Sequence, residues 1–277
     1  MAFRADGKRV RKADPMYTVV PYIMDKRNDA MNMCTVDIPV EPIQDYINDK
    51  RKEGIRLSHM SVVMAAYLRT VYEFPLLNNF IVNKKIYTHK EFKVAMVVLK
   101  NLATQEETMS KVEFELDDNI FEVNEKMGAY VEENRQVSAV NNTDKMIKFL
   151  VSLPGLLLVG VSLFKFLDRY GLLPKFIIDL SPFHASLTLT NLASIRTNHI
   201  YHHIYNFGTT SVFIAMGKNR EVAKKRNGEI VFEKCMPLGV VMDERICSGI
   251  YFAAAFRKFR QYLEDPSLLE EKPVKKD

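Results

Sequence analysis

Cysteine is scarce: Cys34, Cys235 and Cys247 are the only three in 277 residues. An odd, sparse set makes no disulfide framework, which points to a reducing compartment and a cytoplasmic location. The basic N-terminus has no apolar run behind it, so no secretory signal is expected. P-loop, GxGxxG and CxxC patterns are all missing, which leaves nucleotide-phosphate and structural zinc sites without support. The net charge is only +5. That is too small a bias for a dedicated nucleic-acid binder, so no nucleic-acid partner is expected. Much of the excess sits in "FRADGKRVRK" at the start and "KPVKK" near the end, read as solvated tails, with a weak phosphate or acidic-lipid contact as the sharper alternative. A run of about 20 apolar residues, the length of a spanning helix, is also lacking. The nearest approach is "FLVSLPGLLLVGVSLF", residues 149–164, which carries Pro154 and Gly155 and runs into Lys165, Asp168 and Arg169. Its apolar residues surround the helix axis, which suggests a buried or interface helix. Contact with a membrane surface through 146–180 is the alternative.

The hydrophobic fraction of 47% is enough for one large core or two small ones. "MCTVDIPVE" (33–41) reads as a strand, and Pro42 suits the first turn of a helix that Gly54 ends. Ser58 can cap a second helix whose Met60, Val63, Met64, Tyr67 and Val71 recur at core spacing, until Pro75 stops it. "NNFIVNKKIYT" and "EFKVAMVVLK" read as strands, as does "KVEFEL" (111–116). Asp118 can cap the helix "NIFEVNEKMGAYVEENRQ", and "SAVNNTD" reads as a loop. Four further strand-like runs cover 185–194, 210–217, 228–234 and 236–243. A last helix from about 249 to 265 puts Phe252, Phe256, Phe259 and Leu263 on one stripe. Helices and strands alternate without an internal linker, so 17–269 is expected to be one α/β domain with a mixed sheet. Residues 1–16 form a basic arm and 270–277 a tail.

Three motifs invite a chemical reading. "NHIYHH" holds His199, His202 and His203, but no HExxH frame or cysteine pair completes a zinc site, so surface or interface histidines are expected and no metal. "TLTNL" (188–192) puts Thr188 and Thr190 on one strand face, where a hydroxyl can donate to a developing oxyanion or simply suit a strand. "DERICSG" (243–249) offers Glu244 as a base, or a turn in which Asp243 or Glu244 pairs with Arg245.

Order and spacing then add what the single motifs lack. "TVDIPVEPIQDYINDKRKEGIRLSHMSVVMAAYLRTVYEFPLLNNF", "SLTLTNLAS", "SVFIAMGK" and "MPLGVVMDERICSGIYFAAAFRKFRQYLEDPSLL" together resemble the catalytic domain of the 2-oxo acid dehydrogenase dihydrolipoyl acyltransferases, whose fold chloramphenicol acetyltransferase shares. The resemblance spans about residues 17 to 269. It implies a two-layer α/β fold assembled as a homotrimer, with a larger cage of trimers open to it. It also implies a channel at each subunit interface for coenzyme A on one side and a small-molecule acyl acceptor on the other. The chain has no lipoylation lysine motif, so no lipoyl attachment is expected.

The family's H-x-x-x-D-G is altered: Glu244 stands for the histidine, Ser248 for the aspartate, and only Gly249 is kept. Histidine suits general-base work with a free pKa of about 6.5, whereas glutamate starts near about 4.3 and needs burial to rise. Thr190 falls on the family's oxyanion donor, with Asn191 following it. By the same resemblance Arg27 is the partner of the aspartate position. With Ser248 there the arginine loses that partner, and Glu244 becomes a candidate to replace it, which would hold the carboxylate ionised and make it a poor base. Two readings stay open: an acyltransferase using a coenzyme A thioester with Glu244 as base, or a catalytically silent trimer serving as a scaffold or binding module.

Overall fold

The computed structural model describes residues 4–101, 106–135, 145, 148–149, 151–152 and 155–274. The expected loop "SAVNNTD" lies outside them. The chain begins with β1 (Gly7–Arg9), α1 (Pro15–Ile23), β2 (Met31–Pro39), α2 (Val40–Lys52) and α3 (His59–Glu73). β3 (Asn79–Val82), β4 (Lys85–His89), β5 (Phe92–Asn101), β6 (Glu106–Phe114) and α4 (Ile120–Arg135) follow. Then come α5 (Leu156–Arg169), α6 (Lys175–Leu180), β7 (Leu187–Asn191), β8 (Val212–Met216), β9 (Arg220–Arg226), β10 (Glu229–Asp243) and α7 (Gly249–Glu264).

Local signals start and stop several of these. Ser58 accepts from Ser61 N (3.0 Å) and caps α3, as its position predicts. α4 is capped by Asn119, not Asp118: Asn119 Oδ1 accepts from Phe121 N and Glu122 N, and Glu122 Oε2 accepts from Asn119 N in return. That reciprocal box satisfies more orphan amides than Asp118 could, and Asp118 instead accepts from Glu115 N and pairs with Lys126. β3 and β4 turn through Asn83 (φ 48°) and Lys84 (φ 60°), the paired left-handed residues of a type I′ hairpin.

The main sheet runs β2-β10-β8-β7-β5-β6, with β9 paired to β10. β7 is parallel to both β5 and β8 and the other pairings are antiparallel, so the sheet is mixed. The two runs expected at 228–234 and 236–243 are one strand. Pro237 does not break it because its carbonyl accepts from Gly217 N (2.9 Å), just past the end of β8. The N–H that proline lacks would point the same way, away from β2, so the β10–β2 ladder loses no bond at Pro237 and the gap falls where β8 has already ended. β9, "REVAKKR", has no apolar alternation to announce it; it forms by pairing with β10 through the Asn227-Gly228 turn.

One face of the sheet carries Val94, Leu187, Leu189, Ile214, Leu238 and Val240, packed on α2, α3, α4 and α7 in a single core. α3 is buried on every side from Ser61 to Val71, so it is the central helix of that layer. The N-terminal segment differs from the solvated arm expected of it. β1 pairs with β4, and Arg4 is buried against Asp6 and Asp168. Burial alone would raise the Asp168 carboxyl. The hydrogen bond and charge of His184, with Arg4 behind them, outweigh that and hold it below the carboxylate range.

Candidate functional site on the sheet face opposite the main helix layer

Residues alternate faces along a strand, so the partners of the core positions point away from the helices. Thr190 on β7 is level with Ala215 on β8, Ala215 with Gly239 on β10, and Gly239 with Thr35 on β2. This row lies on the face turned away from α2, α3, α4 and α7; α6 meets that face only at its β5–β6 end, where Lys111 Nζ donates to Ile178 O and Lys93 pairs with Asp179. The chain at 199–204 crosses the same face: a Cβ on Gly217 would meet His199 N at 2.2 Å, and one on Gly239 would meet Ile200 O at 2.4 Å. Both positions therefore require glycine for close backbone approach. Ile204 closes the contact against Phe213, Ala215 and Val241.

Thr190 is half-buried, and its hydroxyl has no hydrogen-bond partner among the described residues. Asn191 beside it has a buried Oδ1, also unpartnered. His199 sits over Gly239 with Nε2 2.9 Å from Thr35 Oγ1, which lies 2.6 Å from the exposed Tyr201 hydroxyl. Burial lowers the His199 pKa, Arg220 adds to the lowering, and Asp37 opposes it. The motif "NHIYHH" signals this site in the sequence but does not place it. Only the strand register puts His199 in the row of Thr190. The three histidines do not converge: His202 stacks on Phe213 (centroids 4.3 Å apart) and His203 is exposed. No group of three His, Cys, Asp or Glu side chains suited to a metal occurs among the described residues.

The turn after β10 is built on a buried ion cluster. Asp243 is fully buried and accepts from Arg245 Nε and Nη2, both at 2.7 Å, and from Arg245 N at 3.1 Å. Arg27 Nε approaches the same carboxylate at 3.4 Å. Arg27 also donates to the carbonyls of Tyr205 (2.8 Å), Gly208 (3.0 Å) and Ile81 (3.0 Å). Burial pushes its guanidinium below the ordinary arginine value; the Asp243 charge opposes this, and Arg245 adds to it. Arg27 has thus kept a carboxylate partner, supplied by Asp243. The expected rescue by Glu244 is corrected: Glu244 faces the other way, accepts from Asn32 Nδ2 (2.6 Å), and is half-buried. Strand alternation explains this, since residue 243 points into the cluster and its neighbour points out.

Ser248 is the N-cap of α7, accepting from Tyr251 N at 3.1 Å. Gly249 opens that helix facing free space. The structure does not bring Glu244 to Thr190 within one chain. Gly239 is level with Thr190, and five more residues along β10 separate it from Glu244, about 17 Å at about 3.3 Å per residue. Hydroxyl and carboxylate acting on one carbonyl must lie within about 3 Å of the reacting atoms.

Residues 183–270, which hold both Thr190 and the 243–249 turn, match the family model of the 2-oxoacid dehydrogenases acyltransferase (catalytic domain). No curated protein matches the chain in sequence. Among solved structures the chain is similar to a probable dihydrolipoamide acetyltransferase from Listeria monocytogenes, with a TM-score of 0.57 and 14% identity over 95% of this chain and 97% of that one. It is similar to the dihydrolipoamide acetyltransferase of Azotobacter vinelandii, with a TM-score of 0.59 and 10% identity over 94% of each chain. It is also similar to a chloramphenicol acetyltransferase, with a TM-score of 0.56 and 10% identity over 93% of this chain and 99% of that one. At these identities the likeness establishes the fold.

Proposed function

We propose that this chain, whose residues 183–270 belong to the acyltransferase catalytic-domain family of the 2-oxoacid dehydrogenases, transfers an acyl group from a coenzyme A thioester at the interface between two copies of itself. The observation that carries the reading is the separation of Thr190 from Glu244. Each lies in the matched region, and neither can serve the other's carbonyl within one chain. A neighbouring subunit of a homotrimer, which could build into a larger cage, brings the 243–249 turn of one chain to the Thr190 row of the next. In the Azotobacter protein a serine, a histidine and an asparagine have been investigated for roles in catalysis, the last two four positions apart. Glu244 and Ser248 have that spacing here.

In the reaction the acceptor thiol or hydroxyl attacks the thioester carbonyl while the Glu244 carboxylate takes its proton. Oε2 is engaged by Asn32, which orients the group and leaves Oε1 to accept. The new bond to the carbonyl carbon forms, and the oxyanion accepts a hydrogen bond from Thr190 Oγ1. Collapse of this intermediate breaks the C–S bond, and the departing thiolate recovers the proton from Glu244. Asp243, Arg27 and Arg245 hold the turn, and Ser248 starts the helix behind it. Gly249 and Asn191 complete the supporting set.

The test is acyl transfer from acetyl-coenzyme A to a panel of thiols, hydroxyls and amines. Glu244→Gln should abolish turnover with the oligomer intact, and Thr190→Ala should lower it by about 10²–10³-fold, the effect of removing one oxyanion donor. Full activity in both variants would refute the reading. His199→Gln belongs in the same set. Loss there with Glu244→Gln unaffected would move the base to the imidazole that already shares the row of Thr190. The double change at 244 and 248 favours a second reading, a silent trimeric scaffold or binding module, which predicts no turnover of any acceptor in the unaltered protein. Membrane contact through 146–180 is compatible with either reading.

A further inference from the structure

α5 carries apolar side chains on two of its faces. At 100° per residue, Gly160, Phe164, Leu167 and Asp168 point inward. Val159, Leu163, Phe166 and Tyr170 form a second stripe about a third of a turn round the helix, at 64%, 50%, 57% and 40% exposure. Leu158, Lys165 and Arg169 run beside that stripe along one edge. Leu172 and Phe176 extend the exposed apolar surface past the end of the helix. The buried or interface helix expected from the sequence is thus covered on one side only. A contiguous patch of this kind marks a surface that meets something other than water.

The helix is pinned where it stands. Arg4 Nη2 donates to Asp168 Oδ1 (2.6 Å), Arg4 Nη1 donates to Asp168 O (2.7 Å), and His184 Nε2 lies 3.2 Å from the same carboxylate. These contacts fix which side of α5 faces out. They also bury its one acidic side chain, so the charged residues exposed on α5 are Lys165 and Arg169. Lys145 and Lys148, just upstream, are exposed as well. Exposed acids on neighbouring elements are already engaged: Asp25 with Lys84 (2.7 Å), and Glu91 and Asp179 with Lys93 and Lys175.

We infer that the outer face of α5 docks on an anionic lipid surface, with the Val159–Tyr170 stripe set into the acyl–headgroup boundary and Lys165 and Arg169 against lipid phosphates. Charge selects this occupant over a second copy of the face. Two such faces apposed would bring Lys165 and Arg169 of each near those of the other with no free acid on α5 to meet them, whereas a phosphate-bearing surface complements them. Length selects lying on the surface over crossing it. No helix among the described residues is long and apolar enough to span, and 14 residues rise only about 21 Å against a hydrocarbon core of about 30 Å. The inference stands whether or not the chain transfers acyl groups.

Flotation of the full chain with vesicles tests it, comparing phosphatidylcholine alone with a phosphatidylglycerol–phosphatidylcholine mixture. The unaltered protein should float with the mixed vesicles and remain at the bottom with phosphatidylcholine alone. Leu163→Glu/Phe166→Glu should abolish flotation. Lys165→Glu/Arg169→Glu should weaken it about tenfold or more, as loss of two basic residues at an anionic surface does. All four side chains point outward, and unchanged circular dichroism and melting temperature check that the variants fold. Failure of the unaltered protein to float, or equal flotation on both vesicles, overturns the inference. So does an apolar-face variant that still floats. If Leu163→Glu/Phe166→Glu instead splits an oligomer in gel filtration, the face is a protein interface and the lipid assignment is wrong.

Discussion

Asp243→Ala removes the one carboxylate shared by Arg27 and Arg245. The loss comprises two charge-assisted hydrogen bonds at 2.7 Å, a backbone hydrogen bond at 3.1 Å and the approach of Arg27 at 3.4 Å. Both guanidiniums stay buried, Arg27 at 3% and Arg245 at 2% exposure. Removing one partner of such a buried ionic group costs about 3–5 kcal/mol, because the remaining charge is left uncompensated. Arg27 keeps its carbonyls of Tyr205, Gly208 and Ile81, and Arg245 keeps that of Met24 (3.1 Å), so the lower end applies. With an unfolding entropy of about 2.1 cal/mol/K per residue over 277 residues, about 3 kcal/mol corresponds to a fall of about 5 °C in melting temperature. Calorimetry and urea unfolding measure it. A second variant, Asp243→Leu with Arg245→Met, removes one cation along with the carboxylate and should recover part of the loss. A loss below about 1 kcal/mol for Asp243→Ala would refute the claim that this cluster holds the turn presenting Glu244.

Two further outcomes bear on stability. Ser248→Ala should cost about 1 kcal/mol by removing the cap on Tyr251 N, while Ser248→Asp should cost little, since aspartate caps as well and suits a helix N-terminus. His89 makes stability depend on acid. Burial pushes its imidazole down to about 3, against the raising influence of Asp6. The unfolded chain then binds the extra proton first, so stability falls as pH drops from about 6.5 towards 3, by at most about 1.4 kcal/mol per pH unit. His89→Gln should flatten that slope in urea titrations between pH 6 and about 4, and an unchanged slope would count against the assignment.

How far the sequence reaches depends on the range over which each signal acts. The cap at Ser58 and one core face of α3 were legible because a helix signal is contained in a few successive turns, whereas the burial of α3 on every side came only with the packing around it. Ser248 was legible as an altered motif position but not as a cap, which needed the start of α7. β9 had no pattern to read, since its strand form is set by its partner across the Asn227-Gly228 turn. The site divides the same way. Thr190, Asn191 and Glu244 could be picked out by motif, whereas His199 over Gly239 depends on the pairing of four strands.

By itself the sequence determined the alternation of helices and strands, the apolar faces that bury, and the placing of hydroxyl and carboxylate in recognisable order, because each follows from contacts between near neighbours along the chain. Tertiary structure alone decided that Asp243 and not Glu244 neutralises Arg27, that Thr190 and Glu244 lie too far apart to share a carbonyl within one chain, and that α5 keeps an apolar side uncovered. These follow from strand register and from which side of an element meets the core, and both are set by residues far apart in the chain that meet only when the sheet has formed.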